Sequence, residues 1–213
     1  MQKFNKVILS TAYFPPIQYF SKLLNYDIVM IEQYENYTKQ SYRNRFEILS
    51  PNGKQTLSIP IEKISGKKQT IKDVKIDYSN DWQSIHYKSI ETAYFSSPFF
   101  EYYIDAFMKF FEKKTIYLFD HNIEIIQTLL NELQISKSLI YSESYRSEYN
   151  FNDFRNTIHP KKKLTFDNSG FKAVQYTQVF YNKFKFIPNL SVLDLLFNEG
   201  PNTENILMQT FQL

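Results

Sequence analysis

Apolar residues at the start of the chain predict a strand, a helix and a second strand in close succession. Residues 6–11 (KVILST) form a short apolar run rich in β-branched side chains, which is typical of a buried strand. Two prolines follow this run, and apolar residues then recur at helical spacing over residues 17–24. Residues 27–31 (DIVMI) predict the next strand. This order predicts a βαβ unit with two parallel strands, and such sheets bind their ligands at the carboxyl ends of the strands.

Alternating apolar and polar residues within residues 43–61 predict a β-hairpin. Asn52 and Gly53 are a strong turn signal, and the residues after them alternate as a half-buried strand does. If residues 43–49 form the first strand, its period of two separates the side chains into two faces. The face toward the core carries Asn44, Phe46 and Ile48, and the face away from the core carries Arg43, Arg45 and Glu47.

Helical spacing dominates the middle of the chain. Asp81 is a suitable N-cap, and the pattern predicts helices over residues 82–95, 98–112 and 121–133. The second of these helices carries a stripe of aromatic residues, which we assign to the core. Together the segments predict a single α/β domain over residues 1–213, with a mainly parallel (mixed) sheet flanked by helices and an inserted β-hairpin.

The last third of the chain is less regular. Residues 139–141 predict a short strand. Residues 144–172 are polar and lysine-rich, so we expect a long loop that is the most mobile internal part of the chain and the first cut by limited proteolysis. Ser191 and Asp194 form a partial capping box for a short helix that ends at Gly200.

Composition restricts the class of protein. Hydrophobic residues make up 43% of the 213 residues, and no apolar run approaches the roughly 20 residues that a membrane-spanning helix needs. There is no cysteine, and the first residues lack the apolar core of a signal peptide, so we expect a cytoplasmic protein without disulfides. The net charge of +3 is too small to indicate nucleic-acid binding, and the basic run at residues 161–163 is typical of a solvated loop.

Four segments of the chain, in this order, closely resemble the WbqC-like family: YFPPIQYFSKL, YRNRFEILSPNGKQTLSIPI, IKDVKIDYSNDWQSIHYKSIETAYFSSPFFEYY and FIPNLSVLDLLFNEGPN. The resemblance covers about residues 7–205. Members of this family are often found among genes for bacterial surface polysaccharides, so the resemblance implies a context and not a reaction. Longer members carry a glycine-rich segment in their second half, whereas here Gly170 is the only glycine between Gly66 and Gly200. The resemblance therefore brings no nucleotide-binding role from that segment to this chain.

Motifs of several common enzyme classes are missing from the sequence. It contains no GxxxxGK[ST], GxGxxG, GxSxG or HExxH pattern, so the usual phosphate loop, dinucleotide loop, hydrolase nucleophile and zinc helix are not predicted. The three histidines, His86, His121 and His159, are far apart and lack ligand spacing. We predict no metal site, and the sequence indicates no particular cofactor.

Two arginines in close succession are the main candidates for a binding site. Only four of the 25 basic residues are arginines, and Arg43 and Arg45 flank Asn44. A guanidinium group binds carboxylate or phosphate through two parallel hydrogen bonds, which lysine cannot do. The alternative is an ion pair between Arg43 and Glu47 on the surface, with Arg45 packed over an aromatic ring. The family resemblance of this motif favours an anion site that includes Arg43, Asn44 and Arg45.

Four further residues are weaker candidates. His86 could act as a general base, because the ordinary pKa of histidine lies near neutral pH, although a hydrogen-bonded structural histidine is the more common case. Tyr13 and Gln18 flank the proline turn after the first strand, where they could contact a ligand or cap the turn. Asp194 is a second catalytic candidate, and its simplest role is to complete the cap at Ser191.

These observations leave two hypotheses of function. The first is a group-transfer enzyme of bacterial surface-polysaccharide biosynthesis, which acts on an activated anionic donor such as a nucleotide, a sugar nucleotide or an amino acid. The second is a non-catalytic scaffold of the same pathway that binds a sugar or a partner protein. A pocket shared by Arg45, His86 and a carboxylate favours the enzyme, whereas a flat, exposed aromatic patch favours the scaffold. The sequence does not indicate an oligomeric state.

Overall fold

The computed structural model describes residues 6–63, 68–162 and 170–211. These residues form an α/β fold, as the sequence pattern predicts. In chain order the elements are β1 (Lys6–Ser10), α1 (Ile17–Asn25), β2 (Ile28–Glu32), β3 (Arg45–Ser50), β4 (Gly53–Ser58), α2 (Trp82–Tyr94), α3 (Phe100–Glu112), α4 (Leu118–Glu132), β5 (Leu139–Tyr141), β6 (Asn152–Asp153), α5 (Tyr181–Phe184), α6 (Val192–Glu199) and α7 (Thr203–Gln209). No described helix is both long and apolar enough to span a membrane.

The larger sheet is entirely parallel and has the strand order β5-β2-β1-β6. Val7 of β1 lies opposite Val29 of β2 on one side and Asn152 of β6 on the other. The central strands are apolar and buried, as strands covered on both faces must be. The βαβ prediction at the start of the chain is therefore confirmed, and the carboxyl ends of the four strands meet at one edge of the sheet.

Part of the predicted loop over residues 144–172 is built into this sheet. Asn152 and Asp153 form β6 beside β1, and Arg155 and Ile158 are buried. The segment is therefore not a loop throughout, because a few of its side chains have partners at the sheet edge. Residues 163–169 lie outside the described residues, and the mobility of the segment stays a prediction.

The hairpin forms a separate two-stranded sheet with its turn at the predicted place. Ser50 pairs with Gly53, which has a φ of +105°, a conformation that glycine adopts without steric cost. Phe46 and Ile48 are fully buried, as the period of two predicts. The first strand begins at Arg45 and not at Arg43, so the alternation of faces does not extend to Arg43.

The helices follow the predicted spacing, with shifted starts of α3, at Phe100 rather than residue 98, and of α4. The Asp81 side chain accepts a hydrogen bond from the Ser84 amide at the start of α2, and the aromatic stripe of α3 lies in the core. The third predicted helix, α4, begins at Leu118 rather than at residue 121. Leu118 is fully buried, so its burial extends the helix by a turn toward the N terminus.

The turn before α1 is held by residues from the far end of the chain. The Ile17 amide donates to the Leu190 carbonyl at 3.0 Å, and the Ser191 hydroxyl donates to the Phe14 carbonyl at 3.0 Å. Phe14 has a φ of +39°, which is uncommon for a residue with a side chain. These contacts fix the strained turn that follows β1.

Candidate functional site

Buried polar and charged side chains gather at the carboxyl edge of the parallel sheet. Ser10 ends β1, Glu32 ends β2, Ser142 follows β5, and Asp153 ends β6. Their convergence follows from the parallel topology, because every strand ends at the same edge. This is the edge where α/β proteins usually place their ligands.

The first ion pair at this edge joins Arg43 to Glu35. The Arg43 Nε donates to Glu35 Oε1 at 2.8 Å, one terminal nitrogen donates to the other carboxylate oxygen, and the same nitrogen also donates to the Ser10 hydroxyl at 2.7 Å. Arg43 is 4% exposed. The prediction that Arg43 faces away from the core is therefore wrong, because the residue precedes the strand and turns into the sheet edge.

The alternative pairing of Arg43 with Glu47 is also wrong. Glu47 instead contacts Lys54 across the hairpin, at 3.1 Å. Asn44, between the arginines, is buried and donates from its side-chain amide to the Ile59 carbonyl at 2.9 Å. Asn44 thus ties the start of β3 to the residue that follows β4.

A second ion pair centres on Arg155, which the sequence did not single out. Its guanidinium donates to Glu32 Oε2 at 3.0 Å and to both oxygens of Asp153, and Glu32 also accepts from the Ser142 hydroxyl at 2.7 Å. The Ser10 hydroxyl donates to the Arg155 carbonyl and so links the two pairs. We call this set the buried arginine network: Arg43, Glu35, Ser10, Arg155, Glu32, Asp153 and Ser142.

The buried arginine network leaves almost no open space. The cavity between Arg43 and Arg155 has a volume of about 10 Å³, which is room for roughly one water molecule. A substrate therefore cannot enter between the two pairs in this conformation. Their arrangement instead fixes the backbone at the sheet edge.

Arg45 lies beside this network and has a different environment. It is half-buried, it forms no ion pair with any residue in the described ranges, and its Nε has no hydrogen-bond partner there. Burial raises the pKa of Tyr37 to about 12, and the positive charges of Arg45 and Arg43 oppose this rise. Arg43 is buried and paired, whereas Arg45 is partly exposed and unpaired in the described part of the chain. Of the two arginines, Arg45 is therefore the one that can contact a ligand.

Several basic side chains, Arg45 among them, act on His159. Burial lowers the pKa of His159, and the charges of Arg43, Lys162, Lys161 and Arg45 lower it further. Lys161 and Lys162 are exposed, as expected for a solvated loop. We call Arg45, His159, Lys161 and Lys162 the basic rim, because the charges of the other three act on His159, as does that of the buried Arg43.

Tyr13 and His86 meet inside the core and not at the basic rim. The Tyr13 hydroxyl and His86 Nδ1 are 3.0 Å apart, and both residues are almost fully buried among Phe46 and Trp82. Burial lowers the pKa of His86 to about 4, and a hydrogen bond to the Ser58 backbone opposes this shift. A neutral, enclosed imidazole of this kind fits a structural role better than that of a general base.

His121 adjoins this cluster and is also buried. Its ring packs against Tyr13, Trp82 and Phe110, and neither ring nitrogen has a hydrogen-bond partner among the described residues. Burial lowers the pKa of His121 to about 4. His121 is therefore a neutral part of an aromatic core.

Gln18 and Asp194 lie away from the basic rim. The Gln18 amide donates to Asn189 Oδ1 at 2.8 Å, so Asn189 caps α1 from across the chain. Asp194 is 1% exposed and accepts hydrogen bonds from the hydroxyls of Tyr94 and Tyr176 and from Gln178 Nε2. Its carboxylate does not complete the predicted capping box, because it points into the core, where burial raises its pKa.

A large pocket lies next to the Asp194 cluster, and none of the predicted site residues lines it. Its volume is about 980 Å³, and it is bounded by the α2–α3 junction, residues 174–179 and the two C-terminal helices. No sequence pattern pointed to it, because its lining residues come from segments far apart in the chain. Within the described ranges, no three His, Cys, Asp or Glu residues are arranged to hold a metal ion.

Comparisons with known proteins give the chain relatives over nearly its whole length. The sequence model of the WbqC-like protein family matches residues 11–167 and 154–206. The chain is 26% identical over 222 residues to "Uncharacterized protein Rv1507c" of Mycobacterium tuberculosis, and the alignment covers 94% of this chain and 96% of that protein. No solved structure matches the chain. The name of the relative states no activity.

Proposed function

The chain belongs to the WbqC-like protein family, and on this premise we propose that the basic rim binds an anionic small molecule whose activated group is transferred during the assembly of a bacterial surface polysaccharide. The observation that carries the proposal is Arg45, which forms no ion pair in the described part of the chain, while its charge acts on His159 together with those of Lys161 and Lys162. A phosphate or carboxylate would supply the missing counter-charge.

The position of the basic rim supports this proposal. Arg45 follows Arg43 by two residues, and Arg43 contacts Ser10 at the end of β1. The rim thus stands beside the carboxyl edge of a parallel sheet, where this class of fold binds ligands. Burial and nearby positive charge lower the pKa of His159, and a bound anion would oppose this shift.

The buried arginine network supports the geometry of the rim. Asn122 donates to the Arg43 carbonyl at 2.7 Å, while the Arg43 side chain is bonded to Glu35 and Ser10. The backbone that leads into Arg45 is therefore fixed at several points. A guanidinium on a rigid base loses little freedom when a ligand binds, which favours affinity.

A non-catalytic scaffold is the second candidate, because the catalytic candidates of the sequence are enclosed. His86 and Asp194 are buried, and neither shares a described pocket with Arg45. If the protein is an enzyme, His159 is the group at the basic rim that is suited to accept a proton, since its ordinary pKa lies near neutral pH. If it is a scaffold, the rim binds an anionic ligand without converting it.

Calorimetric titration with sugar nucleotides, adenine nucleotides and amino acids tests the proposal. We expect at least one of these anions to bind, and Arg45→Lys to weaken its binding by about 1.5–3 kcal/mol, because the charge remains but the paired hydrogen bonds are lost. Arg146→Lys is the matched control, since Arg146 is exposed and lies outside the basic rim. Its binding should equal that of the wild type.

The results of this titration and of a turnover assay distinguish the enzyme from the scaffold, and both from failure of the proposal. Release of free nucleotide from a bound sugar nucleotide in the presence of acceptor glycans supports group transfer, whereas binding without turnover supports the scaffold. If none of the anions binds, or if Arg45→Lys binds them as the wild type does, the basic rim is not the ligand site.

A further inference from the structure

The pocket beside Asp194 differs from the basic rim in its chemistry. Its volume of about 980 Å³ is at the upper end of the range for small-molecule sites. Among the described residues, Glu199 is the only charged one that lines it, and most of the other lining side chains are amides or hydroxyls. We call it the amide pocket; the amide and hydroxyl residues that line it are Ser96, Ser97, Gln175, Tyr176, Thr177, Gln178, Tyr181, Asn182, Asn198, Asn202 and Gln209.

One wall of the amide pocket is built on the buried Asp194. The Asp194 carboxylate accepts hydrogen bonds from Tyr176 and Gln178, which both line the pocket. The Gln178 side chain also bonds the Ile187 backbone in both directions, at 2.9 Å each. Because these groups are fixed from behind, the segment at residues 174–179 presents a preformed surface.

The opposite wall is fixed by close packing between helices. The Phe99 amide donates to the Phe197 carbonyl at 3.0 Å, and the Ser97 hydroxyl donates to the Tyr94 carbonyl at 2.6 Å. At Gly200 a Cβ atom would lie 2.6 Å from the Phe99 ring, and the residue has a φ of +52°. Only glycine therefore allows the end of α6 to approach the α2–α3 junction this closely.

The lining offers unused hydrogen-bonding capacity. Asn182 and Gln209 are exposed at the pocket mouth, and about a third of Tyr181 is accessible as an aromatic face. Amide groups combine donors with acceptors, as the hydroxyl groups of a sugar do, and aromatic faces pack against the apolar faces of such ligands.

From this chemistry we propose that the amide pocket binds an uncharged, hydroxyl-rich ligand of the saccharide class. An anion is disfavoured because the described part of the lining carries one charged side chain, the acidic Glu199. An apolar ligand is disfavoured because it would leave the amides without partners. This site is separate from the basic rim, and the inference does not rest on the function proposed there.

Titration with uncharged disaccharides of glucose, galactose, mannose and N-acetylglucosamine, followed by calorimetry and amide NMR shifts, tests this inference. We expect at least one disaccharide to bind and to shift resonances of residues 174–182. Asn182→Ala and Gln209→Ala should each weaken that binding about tenfold, the scale of one well-placed hydrogen bond. Both residues are exposed, so the variants should fold as the wild type does.

Two controls assign the effect to the amide pocket. Gln127→Ala removes an equally exposed glutamine from α4, outside the pocket, and should bind the disaccharide as the wild type does. Arg45→Lys should also leave this binding unchanged, which separates the inference from the proposal for the basic rim. Absence of binding by all the disaccharides, binding unaffected by both pocket variants, or displacement of the sugar by sulfated or uronic-acid disaccharides at equal concentration would each overturn it.

Discussion

The carboxyl edge of the sheet and the helical half of the core both bury titratable side chains, but they do so in different ways. At the sheet edge, Arg43 pairs with Glu35, and Arg155 pairs with Glu32 and Asp153. In the helical half, Asp194, His86 and His121 form no ion pair within the described ranges. Burial there raises the pKa of the aspartate and lowers the pKa of both histidines to about 4.

This difference determines which change destabilises each region. A buried ion pair depends on both partners, because removal of one leaves an uncompensated charge in a poorly solvating environment. A buried group that is kept neutral depends instead on the pH, because protonation or deprotonation would create the charge that burial disfavours. The sheet edge should therefore be sensitive to truncation of an arginine, and the helical half to acid or base.

The largest effect is expected from breaking an ion pair at the sheet edge. Arg155→Leu leaves Glu32 fully buried without its cation and should lower the free energy of unfolding by about 3–5 kcal/mol. Lys54→Leu, which breaks the exposed contact with Glu47, should cost less than about 1 kcal/mol. Urea unfolding of both variants measures the two effects.

A double variant shows whether the loss comes from the orphaned charge. Arg155→Leu combined with Glu32→Leu should recover part of the stability lost by Arg155→Leu alone, because the buried carboxylate is gone. If the double variant is less stable than the single one, the network stabilises the fold by its hydrogen bonds and not by charge compensation.

An intermediate effect is expected in the helical half on acidification. Burial lowers the pKa of His121 from 6.5 to about 4, so the unfolded chain binds a proton first as the pH falls. The stability that neutral His121 contributes is complete above about pH 6.5 and is lost as the pH falls to about 4, by about 3 kcal/mol. His121→Phe removes this proton linkage and fits the surrounding aromatic rings.

Urea unfolding of the wild type and His121→Phe at neutral pH and near pH 4 tests this expectation. As the pH falls, the free energy of unfolding of the variant should rise relative to that of the wild type by about the same 3 kcal/mol. Acid effects on other groups are common to both proteins and cancel in the comparison. Equal pH profiles would mean that the pKa of His121 is the same in the folded and unfolded chain, so that burial does not lower it.

The smallest effect is expected from Asp194→Asn. The variant keeps the shape of the side chain, but its amide nitrogen cannot accept from Tyr94, Tyr176 or Gln178, so about 1–2 kcal/mol of stability should be lost. Asp105→Asn, at an exposed site on α3, should change stability by less than about 0.5 kcal/mol. Chemical denaturation of both variants measures the difference.

The pH dependence of this loss shows whether Asp194 is buried as a neutral acid or as an anion. Because burial raises the pKa of Asp194 above its ordinary value of 3.8, the folded state holds the proton to higher pH than the unfolded chain does. The resulting stability is complete below pH 3.8 and is lost as the pH rises through the raised pKa. The advantage of the wild type over Asp194→Asn should therefore be larger in acid. If it is larger at neutral pH, Asp194 is buried as an anion.

The two regions also differ in how far the sequence could predict them. Local periodicity was enough for the βαβ unit, the hairpin turn and the buried faces of the helices, since each depends on neighbouring residues. The predicted orientation of Arg43 was wrong because the strand begins two residues later than the alternating pattern indicated. The contact of Arg155 with Glu32 joins residues 123 positions apart. The same holds for Asp194 and Tyr94, which are 100 positions apart, so no local pattern could place either cluster.

The contacts of residues 189–191 with the start of α1 have a consequence for the synthesis of the chain. The first amides of α1 are bound by Asn189 and Leu190, and the Phe14 carbonyl is bound by Ser191. During synthesis, α1 leaves the ribosome when these partners have not yet been translated. More than 170 further residues must therefore be translated after the start of α1 before the partners that cap this helix are present. The entry turn of α1 can therefore gain these contacts only after residues 189–191 are made, and a chain that stops short of residue 189 lacks all three partners.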